Sequence, residues 1–229
     1  MMKMSEFKDR YPGRPALVMG GGPSLPEDLK RLGIIEVPVR SARAADLAGS
    51  SHRTQKPRSG ARPIIIAVNY HALKLIEADF MVYNDEPKTD PELLSGVMKF
   101  KGVRVSPDPT SDVEFDVPVW TGFYSSNTAA WLALWMGCDP VILCGMDCYQ
   151  GERVYFHAYS HDAPCFHYPL DHHLRPWKED GRNLLPHPER VKVMSGPLVG
   201  VFGQYEIKEG PARSRREFAG SAHRKSAGA

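Results

Sequence analysis

Several short clusters carry residues able to grip an anion, read a base or move a proton. The first is Gly20-Gly21-Gly22-Pro23-Ser24-Leu25, where the glycines permit close backbone approach and Ser24 can cap a helix or donate to an anion. No Gly-Lys-Ser/Thr follows, so it is not a Walker loop, and a tight turn without a ligand is the plainer alternative. Asn69 ends an apolar run and is either a base or ribose contact or an ordinary helix cap. Asp85, with Glu86, could hold a divalent metal beside a diphosphate, or be acidic surface. Gly145-Met146-Asp147-Cys148-Tyr149, followed by Tyr155, offers two phenols that could donate to a departing phosphate or simply pack. His157, His161, His167, His172 and His173 lie near Cys144, Cys148 and Cys165, which raises zinc. Their spacings match neither paired C-x-x-C nor H-E-x-x-H, so no metal is assigned, and a histidine general base is the sharper expectation.

Elements that could position these groups follow from the apolar pattern. Ala16 to Met19 reads as a strand, the glycine cluster as a turn and Leu25 to Leu32 as a helix. Pro63 to Val68 is a continuous β-branched run, expected of a strand covered on both faces. Tyr70 to Ala78 and Pro91 to Met98 are expected helices. Phe80 to Tyr83, Val103 to Val105, Val117 to Trp120, Val141 to Cys144 and Val191 to Met194 are expected strands. Thr121 to Gly137 reads as a helix with Ser125 and Ser126 as N-cap chemistry, apolar nearly all round and therefore buried. This alternation predicts an α/β, Rossmann-like fold with a mostly parallel sheet, helices on both faces and a small C-terminal lid over 150–190. Ligands of such sheets bind at the carboxyl ends of the strands, where the clusters above fall.

One domain is expected over 1–203, interrupted by a basic surface insertion at 36–62 and followed by a basic, disordered tail at 204–229. Lys plus Arg number 29 against 27 acids, a net charge of +2, so no overall field points to nucleic acid as the main partner. No run approaches the ~18 apolar residues of a membrane span, and with no apolar leader the expected setting is the cytoplasm. Four cysteines in a chain of 229 residues read as reduced thiols.

Taken together, the glycine turn, Asn69, Ser125-Ser126 opening an Ala-rich helix that ends at Gly137, and Gly145-Met146-Asp147-Cys148-Tyr149 resemble the motility accessory factor and 6-hydroxymethylpterin diphosphokinase-like superfamily. They are also similar to bacterial family-42 sialyltransferases, sharpest at Asp147-x-Tyr149-Gln150 with Tyr155 beyond. The matching blocks are the first strand and turn, about 63–85 and about 120–155. The sialyltransferase resemblance implies a CMP-sugar-type donor and a small-molecule or glycan acceptor. It also implies that Tyr149 and Tyr155 contact the leaving phosphate, that Gly20, Gly21, Gly22, Pro23, Ser24, Asn69, Ser125, Ser126, Gly145 and Asp147 form the nucleotide site, and that His172 or His173 is the base. No cofactor is obligatory in that reading. The diphosphokinase branch implies ATP and Mg2+ near Asp85. A non-catalytic nucleotide-binding protein is a third expectation, and a homo-oligomer is compatible with each.

Overall fold

Uninterrupted apolar runs form the middle of the molecule, because a strand covered on both faces has no position where a polar side chain could meet water. In the computed structural model, which describes residues 1–35, 62–121, 124–159 and 164–207, the chain begins with β1 (Met2–Lys3), β2 (Ala16–Met19) and α1 (Leu25–Arg31). It continues through β3 (Ile64–Val68), β4 (Phe80–Val82), α2 (Pro91–Lys99), β5 (Val103–Val105), β6 (Val113–Glu114), α3 (Ser125–Trp135) and β7 (Val141–Cys144). α4 (Leu170–Arg175), α5 (Gly181–Leu184), β8 (Val191–Val193) and α6 (Val199–Phe202) complete it. The 36–62 insertion, apart from Arg62, and the tail beyond residue 207 lie outside the described residues.

The main sheet has the order β5-β4-β3-β2-β7-β8, and every pairing is parallel. Ala16 of β2 sits opposite Ile64 of β3 on one side and Val141 of β7 on the other. The chain runs outward from β2 to β5, then returns to lay β7 on the free edge of β2. That reversal leaves a crevice between the carboxyl ends of β2 and β7, the usual ligand position in an open α/β sheet. β1 and β6 form a separate parallel pair.

Alternate side chains build two cores. Val18, Ile66 and Leu143 pack on the α3 side with Ala129, Ala130 and Ala133, whose small side chains let the helix lie close to the sheet. Met19, Ile65 and Ile142 face the other way, against Leu25 and Leu29 of α1. The α/β class with helices on both faces is therefore as the sequence indicated. None of the described helices is long and apolar enough to cross a membrane.

Three local expectations are corrected. Val117 to Trp120 is not a strand: Pro118 cannot donate to a ladder, and the segment leads a buried Trp120 toward α3. Tyr70 to Ala78 holds only a 3-10 turn at His71–Lys74, because Asp79 must already be back at the sheet, where its backbone N–H donates to the Ile65 carbonyl and its carboxylate accepts from the Ile65 N–H. Helix α3 starts after Tyr124, whose backbone N–H donates to the Asn127 side chain at 3.3 Å, so Ser125 and Ser126 are inside the helix and not its cap. The 150–190 segment contains α4, a π turn at Pro176–Asp180 and α5 in unbroken succession, which the sequence pattern did not reveal.

Candidate functional site

At the carboxyl end of β2 the glycine turn meets the loop after β7, and a set of hydrogen bonds joins the two. Gly20 N–H donates to the Cys144 carbonyl and Gly22 N–H to the Gly145 carbonyl, each at 2.9 Å. The backbone N–H and the hydroxyl of Ser24 both donate to Asp147 Oδ2, again at 2.9 Å. An anion at Ser24 would thus have to displace a carboxylate of its own sign. A side chain at Gly22 would collide with that same carboxylate, so this glycine is required by the protein's own packing. The turn builds the floor of the crevice, and these donors are spent within the chain.

Asp28, one turn into α1, fastens the floor from below. It is 1% exposed, accepts from Gly145 N–H at 2.9 Å and from the Ser195 hydroxyl at 2.7 Å, and lies 3.4 Å from the Ser24 hydroxyl. Burial raises its pKa above the ordinary aspartate value, against the lowering effect of the donors around it. One carboxylate therefore joins α1, the loop after β7 and the segment after β8. Asp28 falls within the Leu25, Leu29, Leu32 stripe of α1, so an acid in an apolar stripe was the available signal for it.

Above this floor lies a cleft of about 330 Å³. Gly145, Cys148 and Tyr149 all have left-handed backbones, with φ of 62°, 52° and 55°; two of them are not glycine, a conformation that persists only where the surroundings impose it. This contorted loop carries Tyr149 into the cleft, edge-on to Tyr155 with ring centroids 6.2 Å apart. Cys148 also lines it, and burial and then the neighbouring Asp147 push its thiol up to about 12, which keeps it protonated.

Most of the expected residues meet here: Gly20, Gly21, Gly22, Asn69, Asp85, Ser125, Ser126, Gly145, Asp147, Tyr149, Tyr155 and His173 all line the cleft. Pro23, Ser24 and His172 are outside its lining. His173 is 2% exposed, and its Nδ1 lies 2.8 Å from the Tyr124 hydroxyl. His172 is exposed and packs on Tyr168 instead, because consecutive helical residues point about 100° apart. The Ser125 hydroxyl accepts from Asn84 N–H at 2.9 Å, and the Asn84 side chain bonds the Thr121 carbonyl and Thr128. Asn69 is left-handed with φ of 54°; its Nδ2 reaches Asp85 at 3.5 Å, while its Oδ1 is buried with no partner among the described residues. An orphaned acceptor of this kind asks for a hydroxyl or amine donor.

Sequence reasoning did not single out Tyr124, His71, Asp90 or Tyr159. His71 is buried and stacks on Tyr155 at 3.8 Å; its Nδ1 lies 3.0 Å from His157 Nε2. His157 Nδ1 in turn faces the Ala158 carbonyl at 2.7 Å, with Lys74 at 3.2 Å and Lys74 paired to Glu92 at 3.0 Å. Burial, then His157 and Lys74, hold the His71 pKa down to about 3. Among the described residues, no group of three or more His, Cys, Asp or Glu is placed to hold a metal ion.

No family model and no curated protein matches the sequence. Among solved structures it is similar to the Maf glycosyltransferase from Magnetospirillum magneticum AMB-1. That likeness has a TM-score of 0.37 at 16% identity and covers 64% of this chain. It spans only 27% of the longer protein.

Two outcomes follow from the geometry. Asp28→Ala strands the Gly145 N–H and the Ser195 hydroxyl and is expected to cost about 2–4 kcal/mol in urea unfolding. Asp28→Asn, which can accept from one and donate to the other, should cost clearly less; equal losses would contradict the network. For His71, the unfolded chain takes up a proton near 6.5 while the folded chain resists it down to about 3. Stability contributed by the neutral ring is therefore lost as pH falls through that window, by up to about 1.4 kcal/mol per pH unit. Melts between pH 7 and 5 should show a shallower slope for His71→Gln than for the wild type, and identical slopes would refute the assignment.

Proposed function

We propose that the chain is a transferase holding a nucleotide-type donor in this cleft, with glycosyl transfer from a CMP-sugar-type donor as the favoured reaction. The observation that carries the reading is the placement of Tyr149, Tyr155, His173 and the amino end of α3 around one cleft at the sheet's reversal point. Because Gly20, Gly22 and Ser24 spend their N–H groups within the protein, the donor phosphate is assigned to the end of the cleft with Ser125, Ser126 and the phenols. There the α3 dipole and neutral O–H donors favour negative charge. Asn69 Oδ1 is assigned a ribose hydroxyl or a base amine.

In the reaction, the acceptor hydroxyl attacks the anomeric carbon, a new C–O bond forms, and the bond from that carbon to the phosphate oxygen breaks. The electron pair leaves on phosphate, where a phenolic O–H stabilises it. The hydroxyl proton passes to His173, the histidine of the expected pair that lines the cleft, with Tyr124 fixing its ring. Tyr155, Tyr159, Phe166 and Trp177 supply one wall of the cleft, which suits a lid that excludes water. Asp85 also lines the cleft, and a diphosphokinase using ATP and Mg2+ would draw on it.

Thermal melts against CMP, CDP, UDP, GDP and ATP, with Mg2+ or with EDTA, separate these readings. CMP at about 100 times its Kd should add roughly 2.7 kcal/mol to stability with EDTA present, and Tyr149→Phe should weaken that response. Stabilisation by ATP alone, and only with Mg2+, would favour the diphosphokinase reading. No response to any nucleotide would refute both.

A further inference from the structure

The cleft continues past Tyr155 to His71, Tyr159 and Asp90, and the chemistry changes along the way. Tyr155 stacks on His71, and His71 meets Tyr159 edge-on at 5.4 Å. The Tyr159 hydroxyl donates to Asp90 Oδ2 at 2.9 Å, and Asp90 Oδ1 accepts from the N–H groups of Glu92 and Leu93. Asp85 is exposed and stands nearer α3, since its neighbour Asn84 donates to the Ser125 hydroxyl. This end offers the Asp90 carboxylate and an imidazole.

Proton placement on the imidazole pair follows from one carbonyl. The Ala158 oxygen can only accept, so His157 Nδ1, 2.7 Å away, carries a hydrogen, and Lys74, 3.2 Å from the same nitrogen, donates instead to Glu92 at 3.0 Å. A neutral His157 then has its lone pair on Nε2, and His71 Nδ1, at 3.0 Å, must donate to it. Burial and the Lys74 cation oppose a second proton on either ring, and Asp90 is too little to reverse that for His71. The remaining His71 nitrogen, Nε2, is left as a lone pair, and no described residue donates to it. The ring cannot turn away easily. A methyl group at Gly21 would come within 2.8 Å of His71 Cβ and 2.7 Å of Tyr155, so the stack is wedged against the glycine turn.

We propose that this end of the cleft is the second-substrate subsite and takes a neutral or cationic group bearing hydroxyls or an amine, with His71 Nε2 as the fixed acceptor that reads one of those donors. A carboxylate or phosphate in place of the donor group is disfavoured, because it has no hydrogen to give the lone pair and would lie beside the Asp90 carboxylate that lines this end. The assignment rests on the transferase reading above, for which it names the class of acceptor.

The test has two independent readouts on the full chain. Long-range imidazole 15N–1H spectra without ligand should show both His71 and His157 as the Nδ1–H tautomer near pH 7. A hydrogen on His71 Nε2 would overturn the subsite whatever the nucleotide does. Next, with CMP present, methyl glucoside, glucosamine and glucuronate are titrated. Methyl glucoside and glucosamine should move the His71 Nε2 resonance and bind more tightly than glucuronate. His71→Phe, which keeps the ring stack and removes the lone pair, should weaken methyl glucoside binding roughly ten-fold. Glucuronate binding as tightly as methyl glucoside, or His71→Phe leaving sugar affinity intact, would refute the proposal. Failure of CMP to bind the wild type, with the tautomers as stated, would instead count against the transferase reading.

Discussion

Two carboxylates hold the crevice of this protein open and in shape. Asp147 takes both donors of Ser24, and Asp28 takes the Gly145 N–H and the Ser195 hydroxyl, so the turn after β2, the loop after β7 and the segment after β8 share one set of charge-assisted bonds. Everything above depends on that. The left-handed run at Cys148 and Tyr149 is strained on its own and persists because Gly145 and Asp147 on its amino side are fixed. Tyr149 in turn sets the distance to Tyr155 and to His173, the latter 5.2 Å ring to ring.

The same constraint divides the cleft chemically. Gly20, Gly22 and Ser24 spend their N–H groups within the protein, and the proposed anionic ligand is therefore assigned to the amino end of α3. The other end, from His71 to Asp90, is rich in acceptors. A negatively charged donor and a neutral, hydroxyl-bearing acceptor would each find a complementary end, with the aromatic row from His173 through Tyr149, Tyr155 and His71 to Tyr159 between them. Stacked and edge-on rings bring area and rigidity with little entropy to lose, which gives this wall a fixed shape.

Much of this was legible in the chain before folding. Ile64 to Val68 and Val141 to Cys144 could be little else than covered strands, and Gly20 to Ser24 marked the crossing into α1. What the glycines were for was not legible, because the group that fills the turn, Asp147, lies more than a hundred residues away and pairs with it only through the β2–β7 contact. His71 and His157 are separated in the same way and gave no local pattern. His172 and His173 were indistinguishable by spacing, and only the orientation of α4 separates the buried one from the exposed one. The short pair β1–β6 escaped notice because two residues carry no periodicity. Asp28 was readable in principle, as an acid inside an apolar stripe.

The central claim is that an anionic ligand docks at the α3 end because Gly20, Gly22 and Ser24 already donate within the protein. Backbone amide shifts followed during a CMP titration test it directly. The account predicts that the Ser125 and Ser126 amides move to saturation while those of Gly22 and Ser24, bound to the Gly145 carbonyl and to Asp147, stay in place. Large shifts at Gly22 and Ser24 with Ser125 and Ser126 unmoved would contradict it.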